Sequence, residues 1–172
     1  EVLKYNKEFV ERKGFEPYLC TKYPDKKIAV VSCMDTRLTA LLMASMGLKN
    51  GDIKLIKNAG GVVSSPFDST VRSLLVAVYE LGVKEIMIVG HTDLEPEEMI
   101  NLMLKRGISR DHINMMRYCG IDFNSWLSGF ESSEIAVHES VELVRHHPLM
   151  PSDITVRGFI INSETGLLTE VK

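Results

Sequence analysis

The chain has 172 residues, 45% of them hydrophobic and 25% charged, enough for one globular domain with a core of its own. Its formal net charge is −3, and Lys and Arg are scattered, which excludes a basic nucleic-acid footprint or a polybasic strip for anionic lipid and leaves a small substrate or a protein partner. No apolar run approaches the roughly 20 residues that cross a bilayer, and the N-terminus does not read as a secretory leader, so a cytoplasmic protein without a membrane partner is expected.

Residues 2–13 place Val2, Tyr5 and Phe9 on one helical stripe among charges, an amphipathic arm (residues 1–16) that must bury its face, for instance on a partner subunit. Ile28 to Ser32 is a β-branched run that predicts a strand, and Leu38, Leu41, Leu42 and Met46 follow at helical spacing up to Gly47. The pattern then repeats twice. A strand over 53–56 leads through Asn58-Ala59-Gly60-Gly61 to a helix over 68–81 ended by Gly82, and a strand over 85–89 leads to a helix over 95–106 ended by Gly107. Such alternation predicts an α/β fold with a mostly parallel central sheet flanked by helices.

Further on, Ser109 is placed to cap a short helix, and Ser132 or Ser133 a helix running to about His146. Pro148 and Pro151 punctuate its exit, and runs 154–161 and 167–171 around the turn-rich 162–166 predict a C-terminal hairpin. There is no internal repeat, linker or low-complexity segment, so residues 1–172 are expected to form a single domain.

Cys20, Cys33 and Cys119 are an odd set without CxxC spacing, which argues for reduced thiols. In parallel α/β sheets ligands collect where loops leave the carboxyl ends of strands. Three segments qualify: Cys33-Met34-Asp35-Thr36-Arg37, Asn58-Ala59-Gly60-Gly61 and Gly90-His91-Thr92-Asp93. The first sets a thiol, a carboxylate and a guanidinium at alternate positions. A thiolate with the imidazole of His91 suits zinc, and Asp35 paired with Arg37 would be held ionised and fixed in direction. Taken singly the residues have plainer uses: Cys33 as a small buried hydrophobe, Asp35 as a helix cap, the glycines as a tight turn. His112, His138, His146 and His147 are expected at the surface.

Together these segments resemble the β-class carbonic anhydrases, particularly the short prokaryotic type. The resemblance runs from about Lys27 to Val171, through 31–38, 57–61, Val71-Arg72-Ser73 and 88–93, and on through His147-Pro148-Leu149, Val156-Arg157-Gly158 and Thr165-Gly166-Leu167. It implies zinc (Zn2+) held by Cys33 and His91, with Asp35 either orienting the attacking hydroxide or binding the metal itself. It further implies Arg37 as the partner of Asp35, and Asn58, Gly60 and Gly61 as the loop lining a carbon dioxide pocket. Zinc-dependent reversible hydration of carbon dioxide to bicarbonate by a homodimer or higher homo-oligomer is the activity it implies.

One position departs from that pattern. The family's third ligand is a cysteine three residues after the histidine, and here Leu94 stands there. Asp35, the preferred substitute, or Cys119 would have to replace it, and activity is expected to be weak. A non-catalytic, dimeric binding or interaction protein of the same fold is the alternative. A nucleotide-binding domain is disfavoured, since neither G-x-G-x-x-G nor Walker A spacing follows a strand.

Overall fold

The computed structural model describes residues 1–91, 96–128 and 132–172. Five strands form one sheet: β1 (Ile28–Cys33), β2 (Ile53–Asn58), β3 (Glu85–Gly90), β4 (Thr155–Ile161) and β5 (Leu168–Val171), in the order β2-β1-β3-β4-β5. The first four are mutually parallel, and β5 returns antiparallel to β4. The hairpin forms where it was predicted, because Asn162 Oδ1 accepts the backbone N–H groups of Glu164 and Thr165 and folds the turn.

Helices cover both faces, as the parallel strands require. On one face α2 (Leu38–Ser45) packs Leu38 and Leu42 with Val30, Met87, Val89 and Phe159. On the other, α3 (Ser69–Tyr79) and α7 (Ser133–Arg145) set Val71, Leu74, Val137 and Val141 against Ala29, Val31, Ile86 and Ile88. Caps start these helices: Asp68 accepts Val71 N–H at 2.8 Å and Ser132 accepts Ile135 N–H at 3.3 Å.

Between β3 and α7 lie α4 (Pro96–Lys105), α5 (Arg110–Tyr118, capped by Ser109) and α6 (Phe123–Ser128), in which α6 packs on both α4 and α5. The N-terminal α1 (Val2–Glu11) buries none of its residues within the chain. No helix among the described residues is long and apolar enough to cross a membrane.

Candidate metal centre

The strand register builds the site. Cys33, the last residue of β1, lies opposite Asn58, the last of β2, and Ser32 lies opposite Val89 of β3. The three segments singled out in the sequence therefore leave three neighbouring strands at the same, carboxyl, edge. Their backbones are tied together: Met34 N–H donates to Asn58 O at 2.8 Å, and His91 N–H to Gly60 O at 3.0 Å.

Gly61 shows how closely the loops approach. Its φ is +66°, and a Cβ built there would meet Val89 O at 2.5 Å and Cys33 N at 2.7 Å. Only a residue without a side chain lets this turn lie across the end of β1.

Cys33 is buried, and its Sγ accepts the Asp35 N–H at 3.4 Å. Asp35 accepts four hydrogen bonds from Arg37: its backbone N–H at 2.8 Å and Nε at 3.1 Å to Oδ1, Nε at 3.2 Å and Nη2 at 2.6 Å to Oδ2. These hydrogen bonds, first those of the guanidinium, hold the Asp35 carboxyl well below the usual carboxylate range against the smaller opposing effect of burial. His91 completes the cluster, its Nε2 standing 3.2 Å from Asp35 Oδ2 and 3.2 Å from Arg37 Nη2. Arginine only donates and an ionised carboxylate only accepts, so Nε2 faces one of each.

Asp35 thus fulfils one of the roles foreseen for it, pairing with Arg37; its Oδ1 also accepts the Arg37 N–H, but the N-cap residue of α2 is Arg37, not Asp35. The Asn58 carboxamide is engaged within its own loop, donating to Val62 O at 2.7 Å and Thr70 Oγ1 at 3.0 Å and accepting Val62 N–H at 3.2 Å. Its carboxamide thus fixes the shape of the turn.

The donors are of the kind zinc takes: a cysteine sulfur, an imidazole and a carboxylate. Asp35 is turned onto Arg37, however, and its Oδ2 also stands against His91 Nε2, with Cys33 beside them. Among the described residues no three His, Cys, Asp or Glu side chains close on one point. Leu94 lies outside the described residues. Cys119, the other substitute considered, follows α5 as an exposed C-cap.

One residue that the sequence did not single out, Ser140, and one expected at the surface, His147, are both buried. Ser140 of α7, wholly buried, receives Val63 N–H at 2.8 Å and donates to Ala136 O at 2.7 Å. The available signal was its place on the apolar stripe of Val137, Val141 and Val144, where a hydroxyl must find a partner. His147, expected at the surface, is instead 4% exposed, donating from Nε2 to Pro66 O at 2.7 Å and accepting Leu149 N–H at Nδ1. The other three histidines foreseen as surface residues, His112, His138 and His146, are exposed.

The carbonic anhydrase family model matches residues 28–116. The Bacillus subtilis protein named "Putative carbonic anhydrase YvdA" is 46% identical over 175 residues, covering 99% of this chain and 89% of that protein. "Beta-carbonic anhydrase 1" of Mycobacterium tuberculosis is 32% identical, covering 86% of this chain and 83% of its own. The crystal structure of β-carbonic anhydrase isoform I from Trichomonas vaginalis superposes with a TM-score of 0.85 at 33% identity, covering 99% of this chain and 94% of that one.

Proposed function

This chain belongs to the β-class carbonic anhydrase family, and on that premise we propose that it catalyses zinc-dependent, reversible hydration of carbon dioxide to bicarbonate. Cys33 and His91 would hold the metal. Zinc, when bound, supplies a Lewis acid that brings the ionisation of water to about pH 7. The chain's own residues do the rest.

Arg37 keeps Asp35 ionised, so its carboxylate oxygens are acceptors throughout the working pH range. Such an acceptor, fixed by four hydrogen bonds, takes the O–H of the attacking oxygen and leaves a lone pair aimed at the carbon. The Gly60-Gly61 turn borders the same edge, with Gly61 lying against the Cys33 backbone.

The observation that carries this reading is the convergence of Asp35, Arg37 and His91 within 3.2 Å of one another, beside the buried thiol of Cys33. Leu94 favours a second reading, a non-catalytic relative that keeps the fold as a dimeric binding protein. A stopped-flow hydration assay with metal analysis of the same sample separates the two: the enzyme hydrates carbon dioxide in proportion to its zinc, and the binding protein does not. The exposed Val2, Leu3, Tyr5 and Val10 of α1 support the accompanying proposal of a homodimer whose arm covers its partner.

A further inference from the structure

The loop that borders the site is held from behind by α7. Ser140 is wholly buried, and its hydroxyl accepts Val63 N–H at 2.8 Å while lying 3.3 Å from Val63 O and 2.7 Å from Ala136 O. Val63 stands two residues after Gly61, which lies against the Cys33 backbone, and three after Gly60, whose carbonyl receives the His91 N–H. The same helix reaches the His91 strand directly. Val137 fills the space that a Cβ on Gly90 or Gly158 would need, and Gly90 precedes His91. One helix face therefore fixes both the strand end that carries the imidazole and the turn that presses on the thiol-bearing strand.

We propose that Ser140 is a positioning residue for the Cys33 and His91 pair, acting through Val63 and the Gly60-Gly61 turn; as a role in catalysis it rests on the function proposed above. A hydroxyl at this place is otherwise a poor choice. Mid-helix serine lowers helix propensity, and burying it is unfavourable without partners. It is retained where an apolar side chain would leave the Val63 N–H, itself buried, without an acceptor.

The test compares the full-length protein with Ser140→Ala and with Val78→Ala, a core truncation in the last turn of α3 that lowers stability and leaves the Ser140 hydroxyl in place. Amide hydrogen exchange is followed at Val63 and His91, at temperatures equally far below each variant's Tm. Ser140→Ala should speed exchange at both amides by about tenfold, the effect of one lost buried hydrogen bond, while Val78→Ala leaves them at the parent rate. Unchanged exchange at His91 in Ser140→Ala overturns the proposal. Should the alanine variant not fold, Ser140→Cys, which keeps the volume with a weaker donor and acceptor, is read in the same way. Where the parent hydrates carbon dioxide, kcat/KM should fall about tenfold with Ser140→Ala and hold with Val78→Ala. An inactive parent would refute the enzyme reading and leave the exchange result to decide whether Ser140 holds the site.

Discussion

The guanidinium of Arg37 lies 3.2 Å from Nε2 of His91, a residue 54 positions away, while its strongest contact is with Asp35 at 2.6 Å. One cation thus holds the carboxylate, which itself stands 3.2 Å from the same nitrogen. Arg37→Ala removes that hold. The Asp35 carboxyl, depressed in the folded protein, should then titrate near the ordinary value of about 4, as read by carbon NMR of the labelled carboxyl. A depressed carboxyl contributes stability that is present above its unfolded value and lost as pH falls through the folded one. The parent should therefore lose stability between about pH 4 and lower pH, and Arg37→Ala should show a shallower loss there. Matching acid unfolding curves would mean that the pair does not act as described.

Gly61→Ala tests the close approach of the two loops. A left-handed φ with a side chain and an overlap with main-chain atoms of Val89 and Cys33 should together cost roughly 2–5 kcal/mol. Urea unfolding measures it, and a change below about 0.5 kcal/mol, the range of an ordinary surface substitution, would contradict the packing.

The arm offers a test of assembly. A helix of 10 residues, none of them fully buried within its own chain, is shorter than the roughly 12–15 residues that hold together alone in water. Light scattering at micromolar concentration should report a dimer, and deletion of residues 1–13 should shift it toward monomer. A monomeric parent, unchanged by the deletion, would count against the arm as a subunit contact.

Much of this architecture was legible in the residues. The strands are β-branched runs, and glycines with positive φ follow α2, α3 and α4, so periodicity and punctuation agree. The cluster of Asp35, Arg37 and His91 was legible for the same reason, since these residues follow the carboxyl ends of β1 and β3. What escaped was decided at long range. The burial of His147 depends on Pro66, 81 positions away, and that of Ser140 on Val63, 77 positions away, and neither contact leaves a local pattern. The helix α6 has only 6 residues, less than two turns, too few to show a period.

Leu94→Cys addresses the departure expected from the sequence at position 94. A thiolate three residues after His91 adds a strong third ligand, so zinc affinity should rise by roughly an order of magnitude or more, with hydration rising alongside it. Competition with a chromogenic chelator measures the affinity. A variant that gains neither metal nor rate would show that another group already completes the site.

The most direct test of the central claim is a zinc titration of the metal-stripped parent, with the initial rate of carbon dioxide hydration recorded at each addition. The stripped protein should show no rate above the uncatalysed reaction, then a rise that saturates at one zinc per chain and is abolished in Cys33→Ala and His91→Ala. A parent that binds zinc to saturation and still hydrates carbon dioxide no faster than buffer would contradict it.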